Sequence, residues 1–385
     1  MPGGKRKRGR EVAGVAREVL VIGGGITGVQ AALDLADAGA KAILVEKMPS
    51  VGGKMAALDK NFPTLDCSIC IEGPKLSEAG SHPNIEILAG AEVVGVEGEA
   101  GDFTVRISQK PRFVGSECTR CGECALACPV VLPNEFDASM AARKAIYTPF
   151  PQSVPGAFAI DIDHCLNTPP IYLPCARCMD ACKPKVISFD DFRPKEITRK
   201  VAAIILATGY ELFDAGRLPR YGYGSHPDIL TALEFERLLT SVGPSGGEIV
   251  RPSDGSHPRS IVFVLCVGSR DVRYNRYCSR FCCMSSIKEA YQARDHGVED
   301  VKLLYMDLRA YGKGFDAFRE RAEREGVQFV RGRPDAIGPA GNGALTVRYE
   351  DTRTGKIQGM ETDMVVLATG VEPNRELPHL AGLLG

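Results

Sequence analysis

The sequence has no run of 18 apolar residues, so it predicts no membrane-spanning helix. Its net charge of −1 gives no electrostatic reason to expect nucleic acid or an anionic membrane as a partner. The basic start, residues 1–16, lacks the apolar stretch of a signal peptide, and we interpret it as a disordered tail. The six histidines show no metal-ligand spacing. Any metal chemistry must therefore come from other side chains.

Cysteine is the residue type that stands out. The chain has 385 residues, 44% of them hydrophobic and 25% charged, which is typical of a globular protein of two or three domains. Its 14 cysteines fall in groups with two- and three-residue gaps, and this spacing favours metal sites over disulfides. Because cluster assembly needs reduced thiols, we expect a cytoplasmic protein.

Twelve of the cysteines form three groups of four. Thiolates at such spacings hold iron–sulfur clusters, which transfer one electron at a time. The first group, which is followed by Pro129, has the spacing of the bacterial two-cluster ferredoxin run. The groups are Cys118, Cys121, Cys124 and Cys128; Cys165, Cys175, Cys178 and Cys182; and Cys266, Cys278, Cys282 and Cys283.

The first two groups predict two [4Fe–4S] clusters that share ligands. In the ferredoxin pattern, the fourth cysteine of each run binds the other cluster. One cluster is therefore assigned to Cys118, Cys121, Cys124 and Cys182, and the other to Cys128, Cys165, Cys175 and Cys178. An inserted loop separates Cys165 from Cys175, which makes Cys165 the least certain ligand. Two zinc sites are the rival interpretation.

A glycine fingerprint near the start predicts a dinucleotide cofactor. An apolar strand at 18–22 precedes Gly23, Gly25 and Gly28, and a helix and a second strand ending at Glu46 follow. In this unit the helix N-terminus faces the pyrophosphate, and the acid accepts hydrogen bonds from the ribose. The predicted cofactor-binding residues are Gly23, Gly25, Ile26, Thr27, Gly28, Glu46, Lys47, Gly53, Lys54, Thr208 and Gly209.

Two strands ending in Ala-Thr-Gly, at 207–209 and 368–370, give the architecture. With the fingerprint and Gly52-Gly53-Lys54, they resemble the flavoproteins with two dinucleotide-binding domains, which include the thioredoxin reductases. The resemblance implies FAD and an α/β fold of the thioredoxin-reductase type. Residues 85–108 alternate like a β-meander whose returning strand is delayed to about 201. We therefore expect an inserted α+β ferredoxin-like domain with two [4Fe–4S] clusters.

These expectations divide the chain into seven parts. Residues 17–110 and 191–215 are the two halves of the FAD domain, and residues 111–190 are the inserted ferredoxin-like domain. Residues 216–258 are a connector with one short helix near 231–240, and residues 259–370 form a second Rossmann-like domain. Residues 371–385 begin the return to the FAD domain.

The third cysteine group occupies the turn where reductases of this architecture bind NAD(P)H. Cys266 ends the first strand of the second domain, and no G-x-G-x-x-G/A follows it. Cys278, Cys282 and Cys283 lie where the phosphate-binding turn and helix start belong. A helix N-terminus stabilises thiolates, so we expect a cluster here instead of a nicotinamide. A redox-active disulfide, Cys282–Cys283 or Cys278–Cys282, and four structural cysteines are the alternatives.

Cys67 and Cys70 form a separate C-x2-C pair downstream of the flavin glycines. Comparable loops in this architecture run near the isoalloxazine, so the pair could face the flavin or a subunit interface. Two cysteines alone do not complete a four-ligand site. A redox or cluster role and a structural role remain equally open, and beyond the flavin the pair supplies the only candidate catalytic residues.

Several segments resemble the A subunit of heterodisulfide reductase: FPTLDCSIC, GPSGGEIVRPSDG, and CVGSRD with YCSRFCCM. They are also similar to the flavoprotein subunit of the quinone-interacting membrane-bound oxidoreductase complex. The resemblance implies FAD, several [4Fe–4S] clusters, and partners similar to the heterodisulfide reductase B and C subunits. Ferredoxin, hydrogenase or formate dehydrogenase subunits are further partners that it implies, and a homodimer within a larger complex stays open.

The predicted function is electron relay between FAD and the clusters, with electron bifurcation as one form of it. A nicotinamide-dependent FAD oxidoreductase like the small subunit of glutamate synthase is the alternative enzyme. A non-catalytic electron-transfer scaffold is the alternative of a different class. The family's FAD domain ends in a further strand and helix, so we expect either a C-terminally truncated member or a second polypeptide that completes the site.

Overall fold

The computed structural model describes residues 18–341 and 343–385. The predicted basic tail, residues 1–16, lies outside the described residues. The first part of the chain forms β1 (Glu18–Ile22), α1 (Ile26–Asp37), β2 (Lys41–Glu46), α2 (Ser68–Ser81), β3 (Ile85–Ala89), β4 (Ala91–Glu99) and β5 (Asp102–Gln109). Next come α3 (Glu123–Ala127), β6 (Val131–Pro133), β7 (Ala142–Lys144), β8 (Ile146–Tyr147), β9 (Ala159–Ile160) and α4 (Arg177–Ala181). The remainder forms β10 (Lys195–Val201), β11 (Ala203–Leu206), β12 (Tyr210–Leu212), β13 (Ile229–Thr231), α5 (Ala232–Leu239), β14 (Ser260–Val267), α6 (Cys282–Asp295), β15 (Asp300–Tyr305), α7 (Phe315–Arg324), β16 (Val327–Pro339), β17 (Leu345–Asp351), β18 (Lys356–Thr362), β19 (Met364–Thr369), β20 (Val371–Pro373) and α8 (Leu377–Leu384).

The first sheet is parallel, with the strand order β11-β1-β2-β3. Leu20 and Val21 of β1 and Ile43 and Leu44 of β2 are fully buried, as expected where apolar runs form strands covered on both faces. Helix α1 packs its small, apolar face, including Val29, against this sheet. The strand, glycine turn, helix and second strand thus form at the positions that the fingerprint predicts.

The predicted meander differs from the structure at its first strand. Strand β3 pairs in parallel with β2 and belongs to the first sheet. The antiparallel sheet contains β4, β5 and the delayed strand β10, in the order β10-β5-β4. The largely apolar residues 85–89 are long enough for a strand of a parallel sheet. Alternation alone does not distinguish such a strand from the first strand of a meander.

Residues 110–194, between β5 and β10, carry the first two cysteine groups. They form short elements around a small apolar cluster that includes Phe113, Ile146 and Phe158, together with Cys124 and Cys178. Helices α3 and α4, each five residues long, pack against each other and carry cysteines from the two groups.

The second large sheet has seven strands in the order β13-β19-β14-β15-β16-β17-β18. Its first strand, β13, comes from residues 216–258, so the predicted connector is in part an integral edge strand of this sheet. The predicted helix in that segment is α5, and it begins with a capping box between Thr231 and Glu234. Three residues are too short a strand to show a periodic pattern, which explains the error.

The two Ala-Thr-Gly segments lead into strands that pair with each other. Strand β12 follows the first segment, β20 follows the second, and the two pair antiparallel from Tyr210–Pro373 to Leu212–Val371. Helix α8 then returns to the first sheet, where Leu380 joins the core formed by β1, β2 and β4. The two sheets are thus joined through a pair of short crossing strands.

Arg237 of α5 connects three parts of the structure. Its guanidinium donates to Asp137 Oδ1 at 2.9 and 3.0 Å and to the carbonyl of Ala57 at 2.8 Å, and it stacks on the ring of Phe136. The side chain is 1% exposed, so the charge is satisfied entirely by protein groups. Asp137 lies in the cysteine-bearing segment, and Ala57 follows the flavin glycines. The ion pair therefore fixes both segments against the helix layer of the second sheet.

Within the parts of the chain that the structure describes, no helix is both long enough and apolar enough to cross a bilayer.

Replacing Arg237 with methionine should destabilise the protein strongly. Removing one partner of a buried ion pair leaves the other charge uncompensated, at a cost of about 3–5 kcal/mol. We expect a lower urea midpoint for Arg237→Met and partial recovery when Asp137→Leu is added. Arg259→Met is the control, because the Arg259–Glu299 pair is exposed to solvent. An equal midpoint for Arg237→Met and Arg259→Met would contradict this role.

Glu72 of α2 should make stability depend on pH. Its carboxyl is fully buried without a hydrogen-bond partner, and burial raises its pKa from 4.5 to about 8. Unfolded chains lose this proton near pH 4.5 and folded chains near pH 8, so stability from this group falls as the pH rises through that window. We expect the urea midpoint of the unaltered protein to decrease between pH 5 and pH 8. Glu72→Gln should reduce that decrease, whereas Glu78→Gln, at an exposed position on the same helix, should not.

Candidate functional site

The turn after β1 has no room for side chains. Gly23 has a φ of +107°, and a Cβ there would lie 2.3 Å from the carbonyl oxygen of Ala207. A Cβ on Gly28 would lie 1.8 Å from the carbonyl oxygen of Gly23. Gly25 differs, because its nearest neighbour would be the Cα of Gly53 at 3.8 Å. The fold thus requires glycine at Gly23 and Gly28, while Gly25 leaves open space in front of α1.

The N-terminus of α1 is free of side-chain caps. Its N-cap residue is Gly25, and no side chain accepts from the first turn. The partial positive charge of the helix is therefore available to a phosphate group. Of the other fingerprint residues at this helix start, Ile26 is half-buried and Thr27 is exposed.

Glu46 lies at the end of β2, beside this turn. Its Oε2 accepts from the backbone N–H of Gly24 at 2.7 Å, and its Oε1 accepts from that of Met48 at 2.8 Å. Burial raises the pKa of Glu46 in spite of these hydrogen bonds. Each oxygen keeps a second lone pair, so the carboxyl can still accept from a ribose hydroxyl. The structure thus gives Glu46 a turn-holding role that the fingerprint did not predict.

The remaining predicted cofactor residues spread along the same edge of the first sheet. Lys47 Nζ donates to Glu376 Oε1 at 2.7 Å, and the carbonyl of Thr208 accepts from Asn374 Nδ2 at 2.9 Å. Gly209 has a φ of +70°, in the left-handed region that favours glycine. Lys47 and Thr208 are therefore tied to the chain that follows β20.

A cavity of about 460 Å³ lies between residues 52–58, which we call the flavin segment, and the third cysteine group. Residues 52–58 run from the glycine turn, where Gly52 bridges to Gly25, to the cavity wall. The wall consists of Lys54, Leu58, Tyr210, Leu212, Ala232, Leu233, Glu236, Phe281, Cys282, Ser285, Ser286, Glu289, Ala368 and Thr369.

The cavity wall carries polar groups without partners. Ser286 Oγ, Glu289 Oε2 and Thr369 Oγ1 are buried, and within the part of the chain that the structure describes they have no hydrogen-bond partner. Burial raises the pKa of Glu289, which favours the neutral carboxyl and makes it a donor. Buried polar atoms are normally hydrogen-bonded, so three such atoms around one cavity indicate a polar ligand. The wall therefore suits the polar edge of a flavin ring.

Two charged side chains beside the cavity neutralise each other. Lys288 Nζ contacts Glu236 Oε1, and both side chains are only 2% exposed. The second oxygen of Glu236 accepts from the backbone N–H of Asp59 at 3.1 Å. Sequence reasoning missed Glu236, Lys288 and Glu289, because charged residues within a helix usually mark its solvent face. Here α6 is buried almost along its whole length, which no periodic signal reveals.

The third cysteine group surrounds the start of α6. Cys282 and Cys283 are its first two residues and are buried, while Cys266 is the penultimate residue of β14 and Cys278 precedes the helix. A hydrogen bond from the Cys282 thiol lowers the pKa of Cys283 to about 7, and burial raises that of Cys266 to about 11. All four are free thiols, so neither disulfide that the spacing left open is present.

Basic residues and backbone N–H groups face this third group. The backbone N–H of Arg309 donates to Cys283 Sγ at 3.4 Å, and that of Arg280 donates to Cys278 Sγ at 3.4 Å. The Arg270 side chain lies beside Cys266 and pairs with Asp307. Such groups stabilise thiolate charge and raise the reduction potential of a cluster held there. Sequence reasoning did not identify Arg270, because its charge alone predicts only a surface residue.

A second cavity, of about 330 Å³, lies in the cysteine-bearing segment between β5 and β10. Four cysteines line it: Cys128, Cys165, Cys175 and Cys178. They are the same four that the ferredoxin pattern assigns to one cluster. Burial raises the pKa of Cys165 and Cys178, in the latter case to about 12, and neighbouring cysteines of the set add to both shifts.

The other predicted set consists of Cys118, Cys121, Cys124 and Cys182, and the structure brings these cysteines together only in part. Cys118 and Cys121 lie close enough to Cys124 to influence it, although burial is the main cause that raises the Cys124 pKa to about 11. Cys182 ends α4 and is buried in the same apolar cluster as Cys124. Because α3 packs against α4, the fourth cysteine comes from the neighbouring helix, as the pattern requires.

The smaller cavity offers an all-cysteine donor set. In the described ranges, 18–341 and 343–385, no three His, Cys, Asp or Glu side chains converge as ligands of a single metal ion. The four cysteines that line the cavity are the ligand type that holds a [4Fe–4S] cluster. The chemistry of the residues present thus fits the predicted clusters.

Cys67 and Cys70 are joined by a disulfide at the start of α2. Cys67 is the N-cap residue of the helix and is half-buried, whereas Cys70 is exposed. Neither residue lines the cavity between the flavin segment and the third group. The pair thus lies outside the wall of that cavity.

A family described as FAD dependent oxidoreductases matches residues 18–61 of the chain. This range runs from β1 through the glycine turn and Glu46 to Lys54 and the start of the cavity wall. The match supports FAD as the dinucleotide at this turn.

Curated relatives match nearly the whole chain. The iron–sulfur A subunit of CoB–CoM heterodisulfide reductase from Methanocaldococcus jannaschii is 47% identical over 98% of this chain and 57% of its own length. The A subunit of the H2:CoB–CoM heterodisulfide,ferredoxin reductase from Methanothermobacter marburgensis is 46% identical over 96% of this chain and 55% of its own length. The chain thus spans about half the length of the curated relatives it matches.

Solved structures of disulfide reductases are similar at a lower level. The T. acidophilum thioredoxin reductase aligns with a TM-score of 0.48 and 14% identity, over 93% of this chain and 79% of that chain. The Lactococcus lactis thioredoxin reductase aligns with a TM-score of 0.48 and 15% identity, over 95% of this chain and 81% of that chain.

Replacing Gly25 with alanine should remove FAD without disturbing the fold. A methyl group there has ordinary contacts in the protein, with 3.8 Å to the nearest atom, but occupies the space in front of α1 where the pyrophosphate approaches. We expect flavin content per chain to fall roughly tenfold or more, with an unchanged urea midpoint in flavin-free protein.

Gly382→Ala in α8 is the matched control, since a Cβ there meets nothing within 4 Å. Full flavin content in Gly25→Ala, measured from absorbance after denaturation, would show that the phosphates bind elsewhere.

Proposed function

We propose that the chain is the FAD- and iron–sulfur-dependent electron-transfer subunit of a heterodisulfide reductase complex, because it is 46–47% identical to A subunits of such complexes over nearly its whole length. It relays electrons between FAD and [4Fe–4S] clusters. The observation that carries this proposal is the cavity whose wall includes both Lys54 of the flavin segment and Cys282 of the third cysteine group.

The dinucleotide end of FAD is assigned to the turn before α1. Gly25 leaves space for the pyrophosphate at a helix start without a side-chain cap, and Glu46 is positioned for the ribose. The flavin end is assigned to the cavity of about 460 Å³, because residues 52–58 connect the two places. When bound, FAD supplies conversion between two-electron and one-electron transfer.

The residues of the cavity wall have separable tasks in this proposal. Lys54, which lies over the ring of Tyr210, brings positive charge to the flavin end. Glu289 and Thr369 offer hydrogen bonds to its polar edge. Phe281 and Tyr210, whose rings pack at 5.9 Å, shield the site from water. These groups bind and orient the cofactor.

The three cysteine groups form the relay. We assign Cys266, Cys278, Cys282 and Cys283 to the cluster nearest the flavin. The cavity lined by Cys128 and its three neighbours holds a second cluster, and the set that includes Cys118 and Cys124 holds a third. Arg270 and the backbone N–H of Arg309 stabilise negative charge on the first of these. Clusters bound by these cysteines would supply one-electron transfer to and from the flavin end.

The domain boundaries and partners are part of the proposal. We place the FAD domain at 17–110 and 191–215, the ferredoxin-like domain at 111–190 and the second Rossmann-like domain at 259–370. The relatives are named as A subunits, so we propose partners similar to the B and C subunits, within a cytoplasmic complex. Ferredoxin appears in the name of the M. marburgensis relative, and we propose it as an electron carrier, with electron bifurcation at this flavin.

A nicotinamide-dependent oxidoreductase is disfavoured by the turn between β14 and α6. This turn would have to bind a pyrophosphate, but it carries Cys278 and leads into Cys282 and Cys283 at the helix start. The expected glycines are absent from the sequence there. An NAD(P)H site at this position would therefore lack the close backbone approach that it needs.

Removing one thiolate from the third group should affect iron and flavin together. We expect Cys282→Ser to lose about four irons per chain after anaerobic reconstitution and to shift the flavin absorbance, because Cys282 lines the flavin cavity. Cys128→Ser is the matched variant, since it should lose a similar amount of iron from the other cavity and leave the flavin spectrum unchanged.

Iron, sulfide and flavin analyses with visible spectra measure both effects. Unchanged iron in Cys282→Ser, or zinc in place of iron, would overturn the cluster assignment. Equal flavin shifts in both variants would overturn the proposed proximity of the third group to the flavin. Bleaching of the flavin by NADH without a partner would favour the nicotinamide-dependent enzyme.

A further inference from the structure

The Cys67–Cys70 disulfide has no role in the electron relay proposed above. It spans a C-x2-C sequence with a Cα–Cα distance of 5.2 Å, whereas the cysteines of the three groups are free thiols. Disulfides that persist for structural reasons usually close long loops, which this short one does not. A short, accessible disulfide at a helix start is instead typical of thiol–disulfide exchange.

The two sulfur atoms differ in their surroundings. Cys67 is the N-cap residue of α2, a helix of 14 residues, and its Sγ accepts from the backbone N–H of Cys70 at 3.2 Å. A negative charge on Cys67 Sγ would be stabilised by that N–H group and by the helix N-terminus. Cys67 is therefore suited to leave as a thiolate when the disulfide is opened.

Cys70 is the more exposed cysteine of the pair. Cys70 is exposed, whereas Cys67 is half-buried and bridges through its backbone to Lys60. Ile71, next to Cys70, is 40% exposed and adds an apolar surface beside the sulfur. An external thiolate can thus approach Cys70 Sγ from solvent, with its carbon chain against Ile71.

We propose that Cys67 and Cys70 form a thiol–disulfide exchange site for an external dithiol. A thiolate of the dithiol attacks Cys70 Sγ, the Cys67–Cys70 bond breaks, and Cys67 leaves as a thiolate that then takes up a proton. The second thiol of the substrate attacks the mixed disulfide and releases Cys70. The protein gains two electrons and two protons, and the external dithiol becomes a disulfide.

The exchange site lies on the segment that also forms the wall of the flavin cavity. The backbone N–H of Ser68 donates to the carbonyl of Asp59 at 2.9 Å, and the N–H of Asp59 donates to Glu236 Oε2. Leu58, which precedes Asp59, lines the cavity. The exchange chemistry needs neither FAD nor a cluster, so it stands independently of the proposed electron relay.

The first test uses dihydrolipoate as the external dithiol and the full chain, reconstituted anaerobically. Trypsin releases both cysteines in one peptide, residues 61–75, because Lys60 precedes it and Lys75 ends it. We expect mass spectrometry after alkylation to show two new thiols per peptide and one equivalent of dihydrolipoate oxidised. A disulfide that stays closed in excess dihydrolipoate would be structural and would overturn the proposal.

The second test separates the two sulfurs. Reduced Cys67→Ser should collect a glutathione adduct at Cys70 when glutathione disulfide is added, because no thiol remains to displace it. Cys70→Ser should collect the adduct at Cys67 at a rate lower by roughly tenfold or more, because restricted access to the half-buried Cys67 outweighs its stabilised thiolate. The unaltered chain should close to the disulfide without an adduct. Serine is a good N-cap residue, so Cys67→Ser should keep α2 intact.

Iron and flavin contents decide between exchange and cluster binding. Both serine variants should keep the full iron and flavin content of the unaltered chain, whether or not the relay proposal holds. A loss of iron would show that the pair ligates a cluster, and equal adduct rates at the two sulfurs would remove the assigned roles. Either result would overturn the proposal.

Discussion

The buried pair between Arg237 and Asp137 is the contact on which the arrangement of the site depends. The segment that carries the ferredoxin-like cysteines contains little regular structure, and α5 belongs to a different sheet. One guanidinium holds Asp137 of that segment and the carbonyl of Ala57, next to the flavin glycines. Because the pair is excluded from water, its geometry is specific, and it fixes three parts of the chain that the sequence separates widely.

The neighbouring residue in α5 extends this constraint to the flavin cavity. Glu236 pairs with Lys288 of α6 and accepts from Asp59, so the helix that begins with Cys282 is held against the flavin segment. The cavity is thus a consequence of packing between α5, α6 and residues 52–58. The same wall carries Cys282 and, among the described residues, three buried oxygens without hydrogen-bond partners.

Much of this could be predicted from the sequence, and the reasons are local. Apolar runs and glycines predict β1, α1 and β2, and the cysteine spacing predicts which four thiols line the second cavity. The edge strand β13 and the parallel pairing of β3 depend on distant partners, so no local pattern indicates them. The same holds for Glu236, Lys288 and Glu289, whose burial depends on packing between helices. The sequence did not decide the role of Cys67 and Cys70, because a pair of cysteines fits several chemistries.

We propose that the flavin end of FAD and the third cysteine group share the cavity between Lys54 and Cys282. An anaerobic crystal or cryo-EM structure of the chain reconstituted with FAD, iron and sulfide would test this arrangement. We expect flavin-ring density in that cavity and a [4Fe–4S] cluster bound by Cys266, Cys278, Cys282 and Cys283 beside it. A flavin ring outside the cavity, or a third cysteine group without iron, would contradict it.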